Sequence, residues 1–291
     1  MSRIAVVGPG AIGGTIAAWL SQRAEHAITL AARTSFDRLE VSTPDGVMSA
    51  TLRVITHVEQ GSPVDWVLVA TKAYDSAAAS TWFGTLCDAT SRVAVLQNGV
   101  EHLERFAPHF PVDRIVPVMI DCPVERAAPG RIRQRGTIRM IVPQGSNGAA
   151  FAGLFTDLPI DVSETTDFTT AIWSKLCVNS VGAVSAAIVK PNGIVHHDGV
   201  AELMRGILRE CVAVGRAEGA RLETSVVEEV LANARRAPRD SANSLYQDRV
   251  AGRPMEIDAR NGVIVRLGRT HGIPTPINSM LVALLEAAQM A

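Results

Sequence analysis

The stretch Arg3-Ile4-Ala5-Val6-Val7-Gly8-Pro9-Gly10-Ala11-Ile12-Gly13-Gly14 decides the fold. A short apolar, β-branched run leads into glycines, and an alanine-rich segment to Arg23 follows with helical periodicity. This reads as strand, turn, helix. In that setting the spacing Gly8-x-Gly10-x-x-Gly13 is a dinucleotide fingerprint. Gly8 permits the tight turn, Gly10 removes a side chain where a pyrophosphate approaches, and Gly13 lets helix and strand pack closely. The helix N-terminus adds unpaired N–H groups and a partial positive charge. Gly8, Pro9, Gly10, Ala11, Ile12 and Gly13 are therefore the expected cofactor cradle. The competing reading, a glycine-rich turn without a ligand, is weakened by the flanking strand and helix.

Working outward, a second strand over His26–Ala32 ends in Ala31-Ala32-Arg33. An NAD enzyme usually carries an acid there for the ribose 2′-hydroxyl, whereas a guanidinium pairs with a 2′-phosphate. NADP(H) is the expected cofactor, and a solvated surface arginine is the alternative for Arg33. Further strands are predicted at Val64–Ala70 and Arg92–Gln97, with helical segments at Asp75–Cys87 and Asn98–Phe106. Alternating strands and helices imply a doubly wound parallel sheet. Arg114–Ile120, Arg131–Arg135 and Thr137–Val142 read as strands that extend the sheet edge in antiparallel fashion. After Pro159 the strand signal fades. Thr166–Lys190, Gly199–Glu218, Val226–Ala234, Asn243–Val250, Glu256–His271 and the stretch from Ser279 onward read as helices. The expected class is α/β: a Rossmann-type NADP-binding domain over 1–164 and an all-helical substrate and catalytic domain over 165–291, with the boundary near Glu164.

Composition narrows the partners. The 291 residues are 47% hydrophobic but 4% aromatic, which suits Ala/Val/Ile/Leu-rich helices and strands buried on both faces. Twenty-eight basic and 29 acidic side chains leave no field to recruit nucleic acid or an anionic membrane. Arg235, Arg236 and Arg239 make too short a basic patch to change that. Cys87, Cys122, Cys177 and Cys211 lie far apart in apolar surroundings and read as reduced thiols of a cytoplasmic protein. The first residues lack the features of a signal peptide, and no apolar run is expected to approach the roughly 18 residues of a membrane span. His196-His197-Asp198 has the wrong spacing for a metal site, so no metal is expected.

Polar residues at strand carboxyl ends face the ligand crevice of such a sheet. Thr71-Lys72 and Gln97-Asn98-Gly99-Val100 occupy those ends. Joined in order with Trp173-Ser174-Lys175-Leu176-Cys177-Val178-Asn179, with Asn243-Ser244-Leu245-Tyr246-Gln247-Asp248, with Gly252 to Asp258 and with His271 to Asn278, they resemble the ketopantoate reductase family over nearly the whole chain.

The resemblance implies roles. Lys175 matches the helical lysine that protonates the carbonyl oxygen, and apolar Ile172, Leu176 and Val178 around it would lower an ammonium pKa. Asn179, one turn on, shares its helix face. Glu256 matches an acid near cofactor and substrate, Ser244 a substrate-binding serine, and Asn192 a substrate-contacting asparagine. Lys72 and Asn98 match a cofactor-contacting and a substrate-contacting residue. Each has a plainer reading: Lys175 as a snorkelling lysine, Glu256 as a first-turn acid, Ser244 or Asn243 as an N-cap, Lys72 and Asn98 as solvated strand ends. Two positions depart from the family, Ala183 and Ser241 standing where it carries asparagines. The expected activity is NADPH-dependent reduction of a small 2-oxo acid, 2-dehydropantoate to pantoate first of all, in a cleft between the domains of a monomer or homodimer. Another 2-oxo acid, 3-hydroxy acid, opine or polyol-phosphate dehydrogenase is the same-class alternative, and a non-catalytic NADP(H) sensor lies outside the class. Retention of both Lys175 and Glu256 weighs against the sensor, since dinucleotide binding requires neither.

Overall fold

The computed structural model describes residues 2–290, and the chain divides after Thr166 into two compact units. The partition falls two residues beyond Glu164, where the sequence reading sets it.

The first unit begins with β1 (Ser2–Val7), α1 (Ala11–Leu20) and β2 (His26–Ala31). A hairpin of β3 (Leu39–Thr43) and β4 (Gly46–Ala50) follows, then β5 (Arg53–Ile55) and β6 (Trp66–Val69). Two short helices, α2 (Ser76–Ser80) and α3 (Phe83–Leu86), lead to β7 (Arg92–Val95), α4 (His102–Phe106) and β8 (Ile115–Pro117). The unit ends with β9 (Met119–Asp121), β10 (Val124–Ala128), β11 (Arg131–Gln134), β12 (Ile138–Pro143), α5 (Ser146–Gly153) and β13 (Ile160–Thr165). Six strands form a parallel sheet in the order β5-β2-β1-β6-β7-β8. Alternate residues of β1 feed two cores: Ile4 and Val6 pack with Ile16, Leu30, Leu68 and Phe151, while Ala5 and Val7 pack with Val67, Val95, Phe83 and Phe106. The continuous apolar run of this central strand follows from burial on both faces. The chain leaves β1 toward β2 and β5, then returns to build β6, β7 and β8 on the other side. That reversal beside β1 is the topological switch point where doubly wound sheets bind ligands.

The structure corrects several expected elements. No antiparallel edge extends the main sheet among the described residues: β8 runs parallel to β7, while β9 pairs antiparallel with β12, which pairs parallel with β13. The β10–β11 hairpin joins β3 and β4 in a separate four-stranded sheet. The segment expected as one helix from Asp75 to Cys87 is broken, because Ser80 and Thr81 turn their hydroxyls back onto the carbonyls of Ala77 and Ala78. The helix expected from Asn98 starts only at His102, after Gly99 adopts φ +103°.

The second unit is helical: α6 (Phe168–Ile188), a 3-10 turn (Asn192–His196), α7 (Asp198–Ala217), α8 (Val226–Arg236), α9 (Ser244–Val250), a π turn (Asp258–Gly262) continuing into α10 (Val263–Thr270), and α11 (Pro276–Ala287). Asp167 caps α6 by accepting from the Thr170 N–H, and left-handed Val189 ends it ahead of Pro191. By length and composition α6 could span a membrane, which corrects the expectation that no apolar run is long enough. More than half of that apolar window, 56%, is buried within the fold, so the helix reads as a core element. A buried amide chain ties four elements together. Asn261 donates to the Ser180 carbonyl and to Asn278 Oδ1, and Asn278 donates to Glu210 at 2.7 Å. Glu210 also accepts from the Ile277 and Asn278 N–H groups, satisfying the start of α11.

Candidate active site

The glycine turn behaves as its spacing requires. Gly8 sits at φ +84°, and a Cβ there would lie 2.6 Å from Thr71 Cγ2 and 2.8 Å from the Thr71 nitrogen. At Gly13 a Cβ would meet the Gly8 carbonyl oxygen at 2.5 Å and Ala70 Cβ at 2.9 Å, so helix–strand contact excludes any side chain. Gly10 differs: a Cβ would approach nothing nearer than the Gly8 oxygen at 4.0 Å. The space in front of Gly10 is open, and α1 begins with no side chain capping its N-terminus. An open backbone approach beside an uncapped helix start fits a pyrophosphate.

Sheet order sets the other candidates of this unit in a row. Arg33 lies two residues beyond the end of β2, the glycine turn follows β1, Lys72 follows β6 and Asn98 follows β7, all at the carboxyl edge of adjacent parallel strands. Arg33 is 89% exposed and stands 3.9 Å from the Asp75 carboxylate, a loose pair in water. Lys72 and Asn98 are half-buried.

Sequence reasoning placed Gln97 at a strand end but gave it no role in joining these two strand ends. Gln97 is buried at 3% exposure, donates to Thr71 Oγ1 and to the Lys72 carbonyl, and accepts from the Ser76 hydroxyl at 2.9 Å. His102 donates from Nε2 to the Gln97 carbonyl at 2.8 Å. Burial pushes the His102 pKa down to about 4, so the ring is neutral and the network carries no charge. The signal was present: a polar residue directly after the apolar run Val93 to Leu96, followed five residues on by a histidine.

In the second unit α6 carries Lys175 and Asn179, both half-buried on one face. The apolar setting inferred for Lys175 is only partial, since Val178 is 49% exposed. Asn243 is the N-cap of α9, its Oδ1 accepting from the Leu245 and Tyr246 N–H groups. Ser244 is thereby excluded as the cap. It is exposed, and its Oγ accepts from Arg260 Nη2 at 2.6 Å. Glu256 is 3% exposed and immediately precedes the turn into the π segment, and the buried Arg260 guanidinium feels both its charge and that of Asp248. Asn192 donates its side-chain amide to the Ala234 carbonyl at 2.7 Å, and its N–H donates to the Ser241 carbonyl. One of its donors is thus committed to holding this loop against the end of α8. Ala183 is fully buried, so the amide missing there is replaced by core packing. Among the described residues no group of three or more His, Cys, Asp or Glu is placed to hold a metal.

A switch-point glycine turn with polar residues along the same strand edge defines a dinucleotide-binding unit of Rossmann type, and the 2-dehydropantoate 2-reductases that the chain resembles make it an oxidoreductase acting on a CH–OH group. The family model described as "Ketopantoate reductase PanE/ApbA" matches residues 4–147, and "Ketopantoate reductase PanE/ApbA C terminal" matches 167–289. The chain belongs to the ketopantoate reductase family. It is 53% identical over 290 residues to the 2-dehydropantoate 2-reductase of Caulobacter vibrioides, covering 100% of both chains. It is 42% identical to the enzyme of that name from Mycobacterium tuberculosis, covering 98% of this chain and 97% of that one. Among solved structures, the 2-dehydropantoate 2-reductase of Geobacter metallireducens GS-15 superposes with a TM-score of 0.92 at 28% identity, covering 98% and 99% of the two chains.

Proposed function

We propose that the protein reduces 2-dehydropantoate to pantoate with NADPH. The observation that carries this reading is end-to-end kinship at 53% identity, in a chain that retains Lys175, Asn179, Ser244 and Glu256. Gly8, Pro9, Gly10, Ala11, Ile12 and Gly13 would cradle the pyrophosphate, Arg33 the 2′-phosphate, and Lys72, Asn98 and Glu256 the remainder of the dinucleotide. The open space at Gly10 and the uncapped start of α1 support that assignment. NADPH, when bound, supplies the hydride that adds to the carbonyl carbon.

The side chains of the protein handle the oxygen and the carboxylate. As the C=O bond becomes C–O–H, negative charge grows on oxygen, and the Lys175 ammonium stabilises that charge and gives up the proton. Asn179 projects from the same face of α6 and can hold the oxygen or its neighbouring hydroxyl by an amide N–H. Ser244 donates to the substrate carboxylate, and Asn98 has the substrate-contacting role that the family resemblance gives it. Asn192, with one donor fixed to Ala234, has a second amide proton and its oxygen for substrate. Glu256 keeps Lys175 charged and oriented. Four cysteines, all free thiols, accord with a reducing, cytoplasmic setting.

The test is a panel of 2-oxo acids assayed by loss of NADPH absorbance. 2-Dehydropantoate should have the highest kcat/KM. Preference for a different 2-oxo acid by tenfold or so would reassign the substrate, and turnover of none would overturn the reading.

A further inference from the structure

We propose that Arg260 is a positioning residue that fixes the Ser244 hydroxyl as a donor toward the substrate carboxylate and supplies the positive charge behind it, an inference that rests on the reading above.

Arg260 lies inside the π turn, an arrangement that inserts a residue into a helix and is frequent at functional sites. Its side chain is only 2% exposed. An arginine is rarely buried to this degree without a strong reason, because stripping a guanidinium of water is costly. Burial lowers its pKa, while the charges of Glu256 and Asp248 oppose that shift. These anions offset the buried cation without exhausting its donors. Asp248 also accepts from Arg253 Nε at 2.9 Å, and Arg260 Nε makes no hydrogen bond among the described residues. Arg260 Nη2 donates to the exposed Ser244 Oγ at 2.6 Å.

The hydroxyl chemistry gives this contact a direction. A serine has one O–H donor and two acceptor lone pairs, and arginine can only donate. With one lone pair occupied by Arg260, the Ser244 proton must point away from the guanidinium, toward the exposed side. Capping of α9 is performed by Asn243, so the remaining Ser244 lone pair is not drawn onto the helix N-terminus. A hydroxyl backed by a cation is also a stronger donor, since hydrogen bonds in a chain polarise one another. The resulting Arg260–Ser244 pair presents a polarised O–H with positive charge beneath it, which suits a carboxylate. It also provides electropositive character in a chain that has Ala183 and Ser241 where its family carries amides.

The alternative is an arginine that merely stabilises the helical unit, and the experiment separates the two. Steady-state KM and kcat are measured with 2-dehydropantoate and with its uncharged methyl ester for the wild type, Arg260→Lys, Arg260→Met, Ser244→Ala and the double variant Arg260→Met with Ser244→Ala. Pantoate and its amide are titrated calorimetrically into each, and melting is recorded. Arg260→Met should raise KM for the acid by about tenfold or more, with a much smaller fall in kcat and little change for the ester. Arg260→Lys should recover part of the acid-over-ester preference. Ser244→Ala should lose it as Arg260→Met does, and the double variant should lose little more. Equal losses for acid and ester, or a fall in melting temperature with discrimination intact, would overturn the proposal. If Arg260→Met does not fold, Ser244→Ala and Arg260→Lys decide by the same criterion. Pantoate binding reads Arg260 directly, whereas wild-type turnover reads the substrate assignment, so the two failures are distinguishable.

Discussion

Replacing Arg33 with alanine separates cofactor choice from fold stability. The side chain is 89% exposed and its ion-pair partner, Asp75, lies 3.9 Å away, which makes their attraction worth about 0–1 kcal/mol. Stability should therefore move by no more than about 1 kcal/mol. A guanidinium on a phosphate is a charge-assisted contact worth about 1.5–3 kcal/mol, so NADPH should bind roughly 10- to 150-fold more weakly to Arg33→Ala. NADH lacks the 2′-phosphate and should be nearly unaffected. Asp75 adds a second arm: its carboxylate shares Arg33 and would repel a phosphate, so Asp75→Asn should tighten NADPH by a few-fold and leave NADH alone. Fluorescence titration of both cofactors against the three proteins reads all of this. Equal weakening of NADPH and NADH by Arg33→Ala would refute the reasoning, and so would a loss of NADPH binding explained by unfolding.

The glycine turn predicts opposite outcomes two residues apart. Gly8→Ala combines a left-handed backbone with a 2.6 Å clash and should cost about 2–5 kcal/mol in urea unfolding. Gly10→Ala has room for its methyl group and, as a Gly-to-Ala change at an N-cap, should cost no more than about 1 kcal/mol while still impairing NADPH binding. Neutral burial of His102 predicts a pH dependence: its folded pKa, near 4, lies below the ordinary 6.5, so the unfolded chain binds the extra proton. The stability it contributes is complete above about pH 6.5 and is lost as pH falls toward 4, by about 3 kcal/mol in all. His102→Gln keeps a donor for the Gln97 carbonyl and should flatten that part of the melting-versus-pH curve; an unchanged slope would contradict the neutral, buried ring.

The legible parts of the chain were those where one residue type has one physical use. Gly8 and Gly13 are demanded by backbone geometry, and central strands buried on both faces announce themselves as apolar runs. The hairpin of Leu39 to Ala50 was missed because its strands alternate apolar and polar residues over short spans, a weaker signal around the turn at Pro44-Asp45-Gly46. β13 was missed for a related reason: Ile160-Asp161-Val162-Ser163-Glu164-Thr165 is two-thirds polar and, among the described residues, pairs only with β12. In the candidate site, Lys175, Asn179, Ser244 and Glu256 were proposed through resemblance rather than chemistry, since a lone lysine or serine on a helix has many ordinary uses. Arg260 and Gln97 escaped because their importance lies in what they touch. Ser244 Oγ and the strand ends at Thr71 and Lys72 are brought to them only by the fold. The ending from His271 to Asn278 belongs to the architecture, with Asn278 locked to Glu210 and Asn261.

The proton donor is the point on which the account stands or falls. Lys175→Ala should be compared with the wild type for reduction of 2-dehydropantoate at saturating NADPH, with cofactor binding measured separately on the same preparations. The account predicts a loss on the order of 10²–10⁴ in kcat, the range for a positioned general acid, with NADPH affinity within a few-fold of wild type. Turnover by Lys175→Ala at nearly the wild-type rate would contradict it and leave the lysine a structural residue of α6.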